Sequence, residues 1–289
     1  MKSTYKYRAL FKNPEHQYSF DRNGYVVVDF LSLKEVNSLK ITYDALEGDL
    51  GEAAFASTIM SKNVVFRNEV SKVIDEYFKT AMENIFHDVT FFWGNFNVKY
   101  PSTSIGTVPL HQDPSFLDEQ FFQPLGLWVP LIDTNEINGG LQVIPGSQHF
   151  LNFPRCGGEP FPYISLQEEL LEKFGELLYM KAGQAYIGNP AVFHASPTNK
   201  SEEARIVAAG LAGPKESLLR YHYHNTSTKT AEVFNVDQKY YLSEPLFSKP
   251  NLEEYKLIET ISLEKEIESK EKLFNYLSQF KKDCHVTSF

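Results

Sequence analysis

Residues 182–210 read AGQAYIGNPAVFHASPTNKSEEARIVAAG. Two apolar or alternating runs, Gln184–Ala195 and Ala204–Ala212, stand here between turn residues, and Asn189-Pro190 interrupts the first. The same punctuation recurs upstream. Runs at Thr90–Tyr100, Gly126–Asp133 and Gly140–Ile144 are set off by Asn138-Gly139-Gly140 and Pro145-Gly146-Ser147. Many short strands with regularly spaced turns predict a mainly β sandwich or barrel. Towards the N-terminus the chain predicts a strand at Tyr25–Asp29 and a helix starting near Ser32, where Ser32 and Glu35 have capping-box spacing. A further helix follows from Val70, Val73, Ile74, Tyr77, Phe78, Ala81 and Ile85, which share one helical face. An excursion from Gln148 to Lys181, with a helix around Leu166 to Leu178, interrupts the strands, as a lid would. The tail from Leu252 is charged and reads as helical between Glu264 and Phe280, with Ile267, Phe274 and Leu277 on one side.

Composition bounds the possibilities. A chain of 289 residues, 42% hydrophobic and carrying 23 Phe and 16 Tyr, can bury one large core and line an apolar pocket. A single domain over residues 1–289 is expected: a helical flank at about 30–88, a β core at about 90–225 with the insertion 148–181, and a helical tail over 252–289. Net charge is −9, without a basic run, which argues against nucleic acid and against an anionic membrane surface. Cys156 and Cys284 lie too far apart in sequence to suggest a disulfide framework. No signal-peptide pattern and no run approaching ~18 apolar residues is visible, so a soluble, cytoplasmic protein is expected.

Three fragments carry chemistry. On extended backbone residues i and i+2 project from one face, so His111 and Asp113 can enter one cavity while Gln112 points elsewhere; Pro109 and Pro114 exclude a regular central strand. Two histidines and one carboxylate can occupy one face of a metal and leave the other open. His194, in the apolar segment AVFHAS, is the candidate third ligand. If Asn199 and Lys200 form a two-residue hairpin loop, counting outward places His194 opposite Arg205, with Ser196 on the same face. Arg205, in an otherwise apolar strand, would then have a reason to be there, because an unpaired charge in such a place is costly.

These motifs, together with GLWVPLIDTNEINGGLQVIPGSQHF (126–150) and FDRNGYVVVDFLSLKEVNSL (20–39), resemble the phytanoyl-CoA dioxygenase family over roughly residues 18 to 212. The resemblance implies a double-stranded β-helix (jelly-roll) core flanked by helices. It also implies an Fe(II)- and 2-oxoglutarate-dependent dioxygenase that couples decarboxylation of 2-oxoglutarate to succinate with hydroxylation of a small organic substrate. His111, Asp113 and His194 would bind iron, and Arg205, assisted by Ser196, would hold the distal carboxylate of 2-oxoglutarate. Trp128 and Asn95 fall where the family contacts that co-substrate, and Gln112 would touch it or fix Asp113. An aspartate at position 113, where related halogenases carry a small residue, favours hydroxylation. The family's upstream lysine has no clear match; Lys62 is the nearest.

The substrate is less legible. Arg155, Phe150, Phe153, Phe161 and Tyr163, all in the excursion, are candidate lid or pocket residues. A jelly-roll binding protein without turnover is one rival. Another is a cupin-type metalloenzyme using His222 and His224, which would share a strand face. His149 reads as structural, and His16, His87 and His285 have no supporting context.

Overall fold

Ser32 begins its helix as its spacing to Glu35 requires: the Ser32 hydroxyl accepts from the Glu35 N–H, and the Glu35 carboxylate accepts from the Ser32 N–H at 2.8 Å. In the computed structural model, which describes residues 7–46, 53–102, 104–151, 154–264 and 267–286, this is the second helix. The N-terminal half runs α1 (Pro14–Asn23), β1 (Tyr25–Asp29), α2 (Leu33–Ala45), β2 (Phe55–Ser57), α3 (Val64–Ile85), β3 (Val89–Lys99), β4 (Val108–His111), β5 (Leu125–Pro130) and β6 (Gln142–Ile144). After these come α4 (Gln167–Phe174), β7 (Glu176–Leu177), β8 (Gln184–Gly188), β9 (Phe193–Ser196) and β10 (Arg205–Pro214). The last elements are β11 (Arg220–Asn225), β12 (Thr230–Asn235), α5 (Gln238–Ser243), β13 (Leu257–Ser262) and α6 (Lys270–Val286).

All strand pairs are antiparallel. A six-stranded sheet has the order β1-β8-β5-β10-β3-β2, and a four-stranded sheet has the order β4-β9-β6-β7. The non-sequential orders are those of a jelly roll, in which two sheets face each other. Alternation along the strands separates their two sides. Phe96 and Val98 of β3, Leu127 and Val129 of β5 and Ala208 of β10 join Phe66, Val70, Ile74 and Phe78 of α3 in one core. The α3 helix comes so close that a Cβ on Gly94 would lie 2.8 Å from Ile74, which explains a glycine in mid-strand. The opposite faces of the same strands are left for a cavity.

Four expectations are corrected here. The segment 193–214 is no hairpin: β9 pairs with β4 and β6, whereas β10 pairs with β3 and β5, so His194 and Arg205 lie in different sheets. Asn199 is fully buried and accepts from the Ser201 N–H while its amide donates to the Lys99 and Glu203 carbonyls, so it anchors a wider crossing between the sheets. The helix of the excursion stops at Phe174, because Gly175 takes extended backbone and leads into β7. In the tail, Leu273 and Leu277 are the buried pair, while Ile267 precedes α6 and is exposed. A third sheet, β11-β12-β13, reaches into the supposed helical tail at Leu257–Ser262. Helix α1 was also unforeseen, although Asn13 caps it, Pro14 opens it and Gly24 closes it at φ 85°.

Candidate active site

β4 and β9 are neighbours, and His111 stands directly across from His194 in their register. Each ring is oriented by the same device. The Nδ1 of His111 donates to the Pro109 carbonyl at 2.8 Å, and the Nδ1 of His194 donates to the Val192 carbonyl at 2.9 Å. A carbonyl can only accept, so both Nε2 atoms keep a lone pair for a cation. Asp113 completes the group: its two oxygens lie 3.6 Å from His111 Nε2 and 3.7 Å from His194 Nε2. One ligand atom from each of the three falls within 4.8 Å of the others, a spacing and a donor set that fit one divalent metal ion.

Burial works against charge on all three groups and is offset by their neighbours to different degrees. It would raise Asp113, but the two imidazoles outweigh it and hold the carboxyl down at about 2. It lowers His194, helped by His111, while in His111 the attraction of the Asp113 carboxylate overcomes burial and the net direction is upward. The backbone around Asp113 is tied down as well: its N–H donates to Pro190, and its carbonyl accepts from Arg155 Nε at 2.7 Å.

The cavity below these residues, about 430 Å³, lies between the two sheets. Along the inner face of the six-stranded sheet, Arg205 pairs with Lys99, Ala209 with both Asn95 and Trp128, Trp128 with Tyr186, and Leu211 with both Trp93 and Gly126. The floor therefore runs from Arg205 at one end, with Lys99 beside it behind Ser196, through amide and aromatic groups, to an apolar end.

Arg205 is 1% exposed and has no acidic partner among the described residues. Its guanidinium donates to the Gly139 carbonyl and to Ser196 Oγ, lies 5.1 Å from the centre of the Trp128 ring, and leaves Nε without a partner. Lys99, fully buried beside it, donates to Ser196 O, Ser196 Oγ and Pro197 O. Burial, and then the Arg205 charge, push Lys99 down to about 7, and burial brings Arg205 down to about 10. Two buried cations without a counter-ion are unstable unless an anion joins them. This end of the cavity therefore fits a carboxylate-bearing small molecule.

The predicted residues divide clearly. His111, Asp113, His194, Arg205, Ser196, Trp128 and Asn95 all line the cavity. Gln112 does not: it turns away and donates to the Ala191 carbonyl at 2.7 Å, pinning the Asn189–Ala191 turn, on the side of the chain opposite to His111 and Asp113. Arg155 is no pocket residue either. It is buried behind Asp113, forked onto Glu119 by two bonds of 2.9 Å. Phe150 packs against Tyr163 and Tyr276 in the cluster over the outer face of the four-stranded sheet, together with Phe161, so the aromatic residues of the excursion are packing residues. Phe153 lies outside the described residues. Lys62 is exposed, and Lys99 is the lysine beside Arg205. Lys99, Tyr186 and Trp93 carry no signal of their own in the sequence; their positions in register with Arg205, Trp128 and Leu211 are visible only once the strand order is known. His222 lines the cavity without His224, and among the described residues they join no group of three metal-binding side chains, which removes the cupin-type arrangement.

Comparison with known proteins agrees with this architecture. No curated protein sequence matches the chain. Among solved structures, it resembles the carbocyclase SnoK from nogalamycin biosynthesis with TM-score 0.53 and 16% identity over 72% of this chain and 87% of that one. EctD from S. alaskensis, crystallised with 2-oxoglutarate and 5-hydroxyectoine, gives 0.51 and 19% over 75% and 82%. HygX from Streptomyces hygroscopicus, crystallised with nickel, 2-oxoglutarate and hygromycin B, gives 0.50 and 17% over 71% and 88%. At these identities the likeness is one of fold. The sequence model of phytanoyl-CoA dioxygenase, PhyH, matches residues 20–207, a span that holds the histidine pair, Asp113 and Arg205 alike; the chain belongs to the phytanoyl-CoA dioxygenase family.

Proposed function

We propose that this protein is an Fe(II)- and 2-oxoglutarate-dependent dioxygenase that hydroxylates a small organic substrate, with His111, Asp113 and His194 as the iron ligands. One observation carries the assignment of roles: a complete triad and a buried arginine without an acidic partner open onto the same cavity. Bound at the triad, ferrous iron supplies the activation of dioxygen that couples decarboxylation of 2-oxoglutarate to oxidation of the substrate.

The chain's own contribution is placement. Arg205 and Ser196 take the distal carboxylate of 2-oxoglutarate, with Lys99 holding Ser196 in position from behind. Trp128 covers the guanidinium and so keeps water from it. Asn95, its amide committed to Ser57 Oγ and Asn97 Oδ1, still presents a carbonyl oxygen at the middle of the floor. Tyr186 lines the same wall, and burial raises its pKa well above the ordinary value, so its hydroxyl stays a donor. The carbonyls of Pro109 and Val192 keep both imidazoles in the tautomer that ligates through Nε2. The apolar remainder of the cavity holds the substrate close to the reacting centre.

Aerobic conversion of 2-oxoglutarate to succinate, with binding of 2-oxoglutarate followed separately under anaerobic conditions, tests the assignment. Arg205→Ala is expected to weaken binding of 2-oxoglutarate by roughly a hundredfold or more while iron still binds. Unchanged binding in that variant would overturn the role given to Arg205.

A further inference from the structure

The apolar end of the cavity has a chemistry of its own. Leu211 lies six residues beyond Arg205 along β10, roughly 20 Å at the rise of an extended strand. Around it the walls are Ile59, Trp93, Phe116, Tyr241, Leu246 and Phe247. Trp93 stacks on Tyr241 with ring centres 4.0 Å apart and meets Phe116 edge-on at 5.4 Å, which makes a rigid aromatic wall. Among the described residues that line the cavity, Asp113 and Arg205 are the carboxylate and the guanidinium, and no lysine or further acid joins them. The cations that act on His222 from outside the cavity, Arg155 and Arg220, are already paired with Glu119 and Asp118, so a carboxylate or phosphate on the substrate would find no unpaired cation among the described residues at this end.

Polar groups here are nearly all engaged. The Tyr241 hydroxyl donates to the Arg220 carbonyl, and the Tyr221 hydroxyl interacts with Tyr240 and the Phe247 backbone. His222 is different. Its Nδ1 lies 2.9 Å from the Ser115 carbonyl, which can only accept, so Nδ1 carries the proton. Burial lowers its pKa, keeping the ring neutral, and Nε2 is then a lone-pair acceptor that makes no hydrogen bond among the described residues.

We propose that the substrate is an uncharged, ring-bearing molecule whose hydroxyl or N–H donates to Nε2 of His222 while its rings lie against Trp93 and Phe116. His222 thereby selects the substrate and sets which carbon faces the triad; this rests on the oxygenase reading given above. An unmade bond to a buried acceptor is worth roughly tenfold in affinity.

Calorimetric titration of the anaerobic protein loaded with Fe(II) and 2-oxoglutarate, using 2-naphthol, 2-methoxynaphthalene and naphthalene-2-carboxylate as probes, tests the proposal. For the native chain 2-naphthol is expected to bind roughly tenfold more tightly than the ether, and the carboxylate more weakly than either. His222→Phe should abolish the preference for the naphthol over the ether, and His222→Gln, which keeps an acceptor, should restore part of it. Equal binding of naphthol and ether by the native chain overturns the proposal. So does carboxylate binding as tight as that of the naphthol, a preference unchanged in His222→Phe, or failure of all three probes in protein that binds 2-oxoglutarate. Titration of 2-oxoglutarate on the same samples is independent: its failure would remove the co-substrate assignment, whereas the naphthol-to-ether ratio reports on His222 alone. Should His222→Phe not fold, the native ratio and the Gln variant still decide.

Discussion

Arg205 and Lys99 face each other across β10 and β3, both buried, and no acidic side chain is close enough to pair with Arg205 among the described residues. A fold assembled for stability alone would not place two cations there. Arg205→Ala should therefore reduce affinity for 2-oxoglutarate by roughly a hundredfold or more, on the scale of a lost buried charge pair. Because the arginine has no counter-ion to orphan, the melting temperature of the ligand-free protein should not fall. A thermal-shift titration reads both quantities. Lys99 adds a pH dependence with a definite sign. Its folded pKa, near 7, lies below that of an unfolded lysine at 10.5, so the unfolded chain binds the proton more tightly over that interval. Its contribution makes the ligand-free protein gain stability as pH rises from about 7 towards 10.5, and at pH below 7 the full penalty applies. Urea midpoints at pH 7 and pH 9 should differ less in Lys99→Met than in the native chain. An equal difference would show that Lys99 carries no such penalty.

At the scale of elements, the site depends on how segments are held against one another. The 111–113 segment is short and flanked by Pro109 and Pro114, so it has few ladder bonds of its own. Arg155 compensates from the excursion: its Nε holds the Asp113 carbonyl while its fork is fixed by Glu119. Arg155 is thus a positioning residue. Arg155→Lys cannot make all three bonds, and iron affinity should fall about 10–100-fold, as when an outer partner of a ligand is lost. Metal titration checks this, and Glu119→Gln should produce a milder version of the same loss. Gly139 serves the other end. It sits at φ +74° with its carbonyl accepting from Arg205 and Ser196, and an added Cβ would lie 2.5 Å from the Pro197 oxygen. Gly139→Ala should destabilise the fold by about 1–3 kcal/mol, from the strained backbone and the clash, and weaken 2-oxoglutarate binding as well. Urea denaturation and the same titration measure the two effects.

For the molecule as a whole, helices cover the outer face of each sheet, and the cavity remains between the inner faces. The six-stranded sheet is covered by α3 with α1 and α2, and the four-stranded sheet by α4 and α6, through Leu170, Leu273 and Leu277 packed on Leu110, Ile144 and Phe193. The last helix is therefore structural to the wall that carries His111 and His194. Leu277→Ala should cost about 2–5 kcal/mol in chemical denaturation without changing 2-oxoglutarate affinity in the folded fraction.

Much of this was legible in the sequence, and the division has a physical basis. Local rules carry whatever depends on neighbours along the chain: the capping box at Ser32, the helical face of α3, the alternation that points His111 and Asp113 one way and Gln112 another, and the turn residues between strands. A carboxylate-and-histidine set also announces its chemistry, because few structural needs call for that combination. What sequence could not decide was which strands are neighbours. Proximity of His194, Ser196 and Arg205 was foreseen for the wrong reason. A two-residue hairpin would have placed them in one sheet, but the buried Asn199 carries the chain across, and Arg205 meets Ser196 face to face between sheets. Lys99, Tyr186, Trp93 and His222 belong to the cavity for the same reason: strand order, set by long-range antiparallel pairing, assembles them. Local patterning was enough for the fold class, the metal-binding chemistry and the family. Which polar groups are buried together, Arg205 beside Lys99 at one end of the cavity and His222 among aromatic rings at the other, follows from long-range strand pairing and is visible only in the folded chain.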